Sequence, residues 1–134
     1  MANALYPLWK QQLLQFTANN NLSAGTVKVA LIDTGTYTYS AAHQFWTSAS
    51  AASIGTPQTI GTKTFTNGTF DGADVTFTAV TGASVEALII WIDTGTAGTS
   101  PLVAYIDTSV TGLPVTPNGG DITITWNASG IFTL

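Results

Sequence analysis

Three strand-end tripeptides carry the pattern in this sequence that could do chemistry. Asp33-Thr34-Gly35 and Asp93-Thr94-Gly95 each follow an apolar run, and Asp107-Thr108-Ser109 is a third variant. Two aspartates that lie close together share one proton, because neighbouring like charges cannot both ionise. Such a pair can act as general acid and base in peptide hydrolysis, so acid proteolysis is one hypothesis.

The protease hypothesis needs two Asp-Thr-Gly loops to meet, within one chain or between two copies. The string Ala30-Leu31-Ile32-Asp33-Thr34-Gly35 resembles the catalytic loop of aspartic proteases. Two-lobed proteases of that class are much longer than this chain, and the dimeric ones carry a downstream Ile-Ile/Leu-Gly-Arg/Asn segment that this arginine-free sequence lacks. We instead predict structural turns, in which each strand-end aspartate accepts a backbone N–H and Gly35 and Gly95 take positive φ.

The same three aspartates could bind Ca²⁺ if they met at one rim of a sheet, since calcium takes several hard oxygen ligands. The sequence contains no dense D-x-D-x-D loop. His43 is the only histidine and there is no cysteine, so a His/Cys metal cluster and a cysteine nucleophile are excluded. We predict no catalytic residue, no metal and no cofactor, and a protein that is not an enzyme.

A helix is predicted from Pro7 to Asn19. Apolar residues recur there at helical spacing, and proline is favoured at a first helical position. The recurring residues are Leu5, Trp9, Leu13 and Phe16. We expect residues 1–25 to form an N-terminal helix or arm packed on the single domain, with an arm that docks on a neighbouring subunit as the alternative.

Short β-rich runs separated by glycine, proline and asparagine fill residues 26–134. Where apolar and polar residues alternate, one face of the strand is expected to be buried. The apolar positions of the alternating runs are Val27, Val29, Leu31, Val75, Phe77, Ala79, Ile122, Ile124 and Trp126.

Val85 to Ile92 is apolar almost throughout, which predicts a central strand covered on both faces. Further strands are predicted at Pro101 to Asp107 and Ile131 to Leu134, and Asn67-Gly68 is typical of a hairpin turn. The predicted fold class is all-β, a mainly antiparallel β-sandwich of which a jelly roll is one form, with one N-terminal α-helix.

The segment from Tyr37 to Gly61 shows no clear period, and Ser40 could cap a short helix through Thr47. A connection of this length inside a compact domain is usually functional or mobile. Its aromatic residues could supply subunit contacts, or they could pack on the domain's own core. The candidate subunit-interface residues are Trp9, Tyr37, Tyr39, Phe45 and Trp46.

Charge is scarce in the 134-residue chain, since only 7% of residues are charged and the net charge is −4. Lys10, Lys28 and Lys63 are the only strong bases and form no basic patch, which excludes nucleic acid as a partner. The buried part of a permanent protein interface is likewise depleted of charge. The composition therefore favours a subunit of an assembly.

The first residues, Met1 to Pro7, lack a basic region followed by an apolar run, so we predict synthesis and retention in the cytoplasm until assembly. The longest apolar run, Ala87 to Ile92, is too short to cross a bilayer, so no membrane partner is expected.

Three segments carry a family resemblance: Tyr37 to His43 (YTYSAAH), Phe70 to Phe77 (FDGADVTF) and Gly112 to Asp121 (GLPVTPNGGD). With them the chain resembles, over nearly its whole length, a family of small virion proteins of tailed bacteriophages and prophages. The resemblance implies a capsid decoration, or cement, protein on the capsid surface that binds the major capsid protein and itself, as a trimer. It brings no catalytic residue, and a tail-tube, tail-tip or fibre-associated subunit is the alternative. A carbohydrate-binding module using Trp46, Tyr37 and Tyr39 is a third hypothesis.

Overall fold

The computed structural model describes residues 3–134. One α-helix and nine strands form along them, and the all-β class with one N-terminal helix is confirmed. In chain order the elements are β1 (Ala4–Leu5), α1 (Pro7–Leu14), β2 (Thr26–Ile32), β3 (Ser53–Thr59), β4 (Thr69–Phe70), β5 (Val75–Phe77), β6 (Ala87–Asp93), β7 (Leu102–Ile106), β8 (Ile122–Ile124) and β9 (Phe132–Thr133). Short 3₁₀ turns occupy Trp46–Ser48, Ser50–Ala52, Thr66–Gly68 and Ala97–Thr99.

The main sheet has five antiparallel strands in the order β1-β7-β6-β2-β3. β6 lies at its centre, and its residues from Ala87 to Ile92 are all buried. Neighbouring side chains on a strand point to opposite faces, so Ile89 and Ile90, both fully buried, show that both faces are covered. The central, two-sided strand that the apolar run predicts is confirmed.

Two short ribbons complete the β structure, β4 with β9 and β5 with β8. The predicted alternation holds in the second ribbon, where Phe77 and Ile124 are fully buried and Thr76 and Thr123 are exposed. It fails at Ala79, which is exposed at φ 50° beyond the end of β5. Five of the described strands form the main sheet, and the other four form the two two-stranded ribbons. The second layer of the predicted sandwich therefore consists of ribbons and turns.

The helix ends at Leu14, five residues before the predicted end at Asn19. Phe16 donates its N–H to the Leu13 carbonyl and Thr17 donates its N–H to the Gln12 carbonyl. These two bonds, with Phe16 in the left-handed conformation at φ 57°, form a Schellman motif. Glycine usually takes that position, and with phenylalanine there no residue type signals the end of the helix.

The segment from Tyr37 to Gly61 also differs from expectation. The predicted helix from Ser40 through Thr47 is absent from the described chain, which has a turn at His43 and a 3₁₀ turn from Trp46 to Ser48. The strand β3 then forms the edge of the main sheet and was not predicted. It contains Gly55 and Pro57, two residue types that are depleted in strands and tolerated at an edge.

The two-sided burial of β6 can be tested by truncating one residue on each face. We expect Ile89→Ala and Ile90→Ala each to lower the free energy of unfolding by about 2 to 5 kcal/mol, because both remove buried methyl groups. Thr78→Ala, at an exposed position, should change it by less than about 0.5 kcal/mol. Urea denaturation measures all three, and a cost near zero for either isoleucine would mean that one face is open.

Candidate functional site

The turn at Asp33 is held by the aspartate carboxylate. Oδ1 accepts the N–H of Gly35 at 2.8 Å, and Oδ2 accepts the hydroxyl of Thr36 at 2.9 Å. The predicted Asx-turn is therefore present. Gly35, however, does not take positive φ, because Thr36 and Tyr37 both donate their N–H groups to the Asp33 carbonyl in a helical type of turn.

The turn at Asp93 follows the prediction in both parts. Asp93 Oδ1 accepts the N–H of Gly95 at 2.9 Å, and Gly95 takes φ 90°. Asp93 Oδ2 also lies 2.9 Å from Lys28 Nζ on the neighbouring strand. The hydrogen bond from Lys28, followed by that from Gly95, holds the pKa of Asp93 below its ordinary value of 3.8.

The third strand end, at Asp107, is closed by a side chain from the N-terminal arm. Asn3 Oδ1 accepts the N–H groups of Asp107 and Thr108 at 2.7 and 2.9 Å. Asn3 Nδ2 in turn donates to the Thr108 carbonyl at 3.0 Å. A residue 104 positions away thus caps this turn, a pairing that no local pattern could reveal.

The strand register keeps Asp33 and Asp93 apart. Asp93 pairs with Thr26 at the start of β2, whereas Asp33 follows Ile32 at its end. At about 3.4 Å per residue the seven residues from Thr26 to Asp33 separate the two aspartates by roughly 24 Å along the strand, so they cannot share a proton within one chain. Among residues 3–134 no group of three His, Cys, Asp or Glu side chains could hold a metal ion.

Backbone capping is the common use of the acidic side chains. A carboxylate that accepts a main-chain N–H fixes a turn and loses part of its freedom to bind other groups. At least six acidic residues of the described chain accept such a bond. They are Asp33, Asp71, Asp74, Glu86, Asp93 and Asp121.

A tyrosine–histidine cluster joins the N-terminal arm to the sheet. The hydroxyls of Tyr6 and Tyr37 lie 2.7 Å apart, and the Tyr37 hydroxyl lies 2.9 Å from His43 Nδ1. Tyr39 and Tyr105 pack beside them with ring centroids 5.6 Å apart. Burial, followed by the hydrogen bond with Tyr37, raises the pKa of Tyr6 far above its ordinary value. The bond between Tyr6 and Tyr37 fastens the arm, and spacing alone could not have predicted the cluster.

The predicted interface residues are mostly occupied by the chain's own core. Trp9, Tyr37 and Trp46 are 2, 4 and 8% exposed, and Trp46 stacks on Trp91 of β6 with ring centroids 3.8 Å apart. The alternative of packing on the domain's own core therefore describes these three. Tyr39 and Phe45 are partly exposed, and their role as subunit contacts stays a prediction.

An apolar groove lies beside α1, and we use that name for the concavity between the helix end, the turn after it, the Phe65–Phe70 segment and the C-terminal residues. Its volume is about 530 Å³. Its lining contains no charged residue: Trp9, Gln12, Leu13, Phe16, Thr17, Asn20, Asn21, Leu22, Ser23, Phe65, Gly68, Thr69, Phe70, Phe132 and Leu134. The helical spacing groups Phe16 with Trp9 and Leu13, and this pattern does not indicate a groove.

Two polar atoms in the groove wall, Trp9 Nε1 and Asn20 Oδ1, are buried and find no hydrogen-bond partner among residues 3–134. The Asn20 amide nitrogen, in contrast, donates to the Ala18 carbonyl at 2.8 Å and to Thr17. Unpaired buried polar atoms destabilise a fold, so these two atoms lower its stability.

Neither a family model nor a curated protein matches the chain. Within residues 3–134, no helix has the length and apolar character needed to cross a membrane.

The turn interpretation of Asp33 and Asp93 predicts a graded mutational response. Asp33→Ala should lower the free energy of unfolding by about 0.5 to 2 kcal/mol, as loss of a side-chain cap does, and Asp33→Asn by less, because asparagine keeps an acceptor oxygen. Asp93→Asn should cost more than Asp33→Asn, since it also breaks the pair with Lys28. Melting temperatures should not respond to calcium or a chelator. A calcium-dependent rise that disappears in either Asn variant would contradict the turns.

The lowered pKa of Asp93 sets the direction of a pH effect. A carboxyl whose pKa falls on folding stabilises the fold at pH values above its pKa in the unfolded chain. This contribution is lost as the pH drops through its pKa in the folded chain. The difference in unfolding free energy between the natural chain and Asp93→Asn should therefore be constant above about pH 5 and shrink below about pH 4. Lys28→Gln should reduce this pH dependence. Denaturant titrations across pH measure it, and a difference that widens in acid would contradict the sign.

Proposed function

We propose that this chain is a structural protein of a tailed-bacteriophage virion, a capsid decoration protein that binds and stabilises the major capsid protein lattice. The family resemblance of its three segments supports a structural role in the virion, with a capsid decoration protein as the first candidate. The observation that carries a structural role is the use of the polar groups: at least six acidic side chains of the described residues accept bonds from the chain's own backbone. Because these carboxylates are bonded within the chain, fewer of them are free to bind other groups, and such a surface suits contacts with other proteins.

The surface composition supports the same role. Uncharged threonine covers the exposed face of the β5–β8 ribbon, as at Thr76 and Thr123, and three of the four most exposed large apolar residues in the described chain line the apolar groove. Charge-poor surfaces with an apolar patch are typical of subunits that are covered in an assembly. The proposed partners are other copies of the chain, as a homotrimer, and the capsid lattice. The proposed location is the capsid surface, after synthesis in the host cytoplasm.

A tail-associated structural subunit is the second candidate, because the same surface properties suit a tube, tip or fibre contact. A carbohydrate-binding module is less well supported than the sequence suggested. Its sugar platform would need exposed Trp46 and Tyr37, and both side chains are buried. We propose no catalytic activity, since the Asp33 and Asp93 carboxylates lie at opposite ends of β2 and each closes its own turn.

The proposed location can be tested by counting this chain in purified particles and locating its density by cryo-electron microscopy. A decoration protein should be present in hundreds of copies, with density on the outside of the capsid shell, because it follows the lattice symmetry. Particles assembled without the chain should lose capsid stability towards heat or chelator. Density confined to the tail would overturn the capsid assignment and leave the tail-associated alternative, and absence from particles would overturn both.

A further inference from the structure

We propose that Tyr6, Tyr37 and His43 form a pH-sensitive latch, in which a proton taken up by His43 loosens the docking of the N-terminal arm on the main sheet. The arm consists of residues 3–14, with β1 and α1. The inference goes beyond the proposed function, since it concerns how the arm is held and does not depend on where the protein is located.

Tyr6 is the point at which the arm enters the core. Its side chain is fully buried, and its N–H donates to the Val103 carbonyl at 3.0 Å. The strand before it, β1, has only two residues and pairs with β7 alone. So short a strand is held weakly by its own ladder bonds, and the docking of the arm therefore depends on side-chain contacts such as those of Tyr6.

The hydrogen bonds of the latch form a series with two contacts. The hydroxyls of Tyr6 and Tyr37 lie 2.7 Å apart, and the Tyr37 hydroxyl lies 2.9 Å from His43 Nδ1. Among the described residues, Tyr37 is the one hydrogen-bond partner of the Tyr6 hydroxyl. Each contact holds one hydrogen, so the two hydroxyl hydrogens fill both contacts when Nδ1 carries none. The geometry therefore fits a neutral His43 with its hydrogen on Nε2, to which the series runs from Tyr6 through Tyr37.

A proton on Nδ1 breaks this series. Protonated histidine is a donor at both ring nitrogens, so three hydrogens then compete for two contacts. If Nδ1 donates to Tyr37, then Tyr37 donates to Tyr6, and the Tyr6 hydrogen is left without an acceptor at a fully buried side chain. If the His43 ring instead turns to solvent, the Tyr37 hydrogen loses its acceptor. In both cases one buried hydrogen bond is lost, which weakens the docking of the arm.

The other side chains packed against the latch are tyrosines. Tyr39 contacts the Tyr6 ring, with centroids 5.1 Å apart. Tyr105 of β7 contacts the Tyr37 ring, with centroids 6.5 Å apart. Burial is the main cause that raises the pKa values of Tyr6, Tyr37 and Tyr105 above their ordinary value of 10. These three hydroxyls therefore keep their hydrogens at neutral and acid pH.

The charged groups beside these tyrosines are the carboxylates of Asp107 and Glu86, which contribute to the raised pKa of Tyr105 after its burial. Carboxylates ordinarily titrate below about pH 5, whereas histidine is the side chain that ordinarily takes up a proton between about pH 5 and pH 8. His43 is the only histidine of the chain, and it is partly exposed to solvent. In this pH range the latch therefore responds through His43.

A loosened latch opens an edge of the main sheet. β1 covers the outer edge of β7, where Ala4 pairs with Tyr105 and Leu5 pairs with Ala104. When the arm leaves, the backbone groups of β7 lose these partners, and an unpaired edge strand can accept a strand from another chain. The latch thus couples acid to the exposure of an edge that can bind protein.

The test is amide hydrogen exchange of the purified full chain, followed by NMR from about pH 8 to about pH 5. The reporter is the Tyr6 amide, which is bonded to Val103, and the reference is the Ile60 amide, which is bonded to Val27 beside β3. Protection factors remove the intrinsic effect of pH on exchange. Acid should lower the protection of Tyr6 about tenfold, the equivalent of one buried hydrogen bond, and leave that of Ile60 unchanged.

Two variants separate the latch from other effects of acid. His43→Asn keeps an acceptor oxygen near the position of Nδ1 but takes up no proton, so Tyr6 should stay protected throughout the pH range. Tyr37→Phe breaks the series in its middle, so the protection of Tyr6 should be low at every pH and no longer respond to acid. Thr38→Ala is the matched control, because Thr38 is an exposed residue of the same segment, and it should behave like the natural chain.

Nitrogen-15 chemical shifts of the His43 ring add a direct readout, because they distinguish a hydrogen on Nε2 from one on Nδ1. At the alkaline end of the range the hydrogen should be on Nε2. The proposal is overturned by a neutral His43 with its hydrogen on Nδ1, by protection of Tyr6 that does not fall with acid in the natural chain, or by a fall that persists in His43→Asn. Circular dichroism melts verify that each variant folds.

Discussion

The two-sided burial of β6 is the constraint on which the rest of the structure depends. A strand from Ala87 to Ile92 that is apolar on both faces must be hydrogen-bonded along both edges and covered above and below. β2 and β7 satisfy its edges, and side chains from distant segments, such as Trp46 on Trp91, supply the cover. In a small domain, covering both faces of β6 takes most of the large apolar residues, so few of them are left exposed. Most of those few line the apolar groove.

The sequence predicted those parts of the fold that are governed by local periodicity. β2, β6 and β8 were predicted because their burial follows directly from the order of apolar and polar residues. The helix end at Leu14 was missed because phenylalanine occupies the position at which glycine normally signals a stop. The edge strand β3 was missed because its residues have weak strand propensity and its pairing with β2 comes from tertiary structure.

The candidate site was harder to predict than the fold, because its parts are distant in sequence. Asp33 and Asp93 were correctly interpreted as turn residues, a local property, but their separation could be known only from the strand register. The apolar groove combines a helix end, the Phe65–Phe70 segment and the C-terminal residues, and nothing in any one of them indicates the other two. The same holds for the contact of Tyr6 with Tyr37.

The cap that Asn3 places on the end of β7 has a consequence for the order of folding. The contact joins residues 104 positions apart, and β1 pairs with β7 at a similar separation. Closing so long a loop has a large entropic cost, which is repaid only when the partner strand is already in place. During synthesis Asn3 and Tyr6 leave the ribosome before β7 does, so the docking site of the arm is complete only after Asp107 has emerged. The contacts of Tyr6 and Trp9 with the core therefore depend on a strand that is made about a hundred residues later.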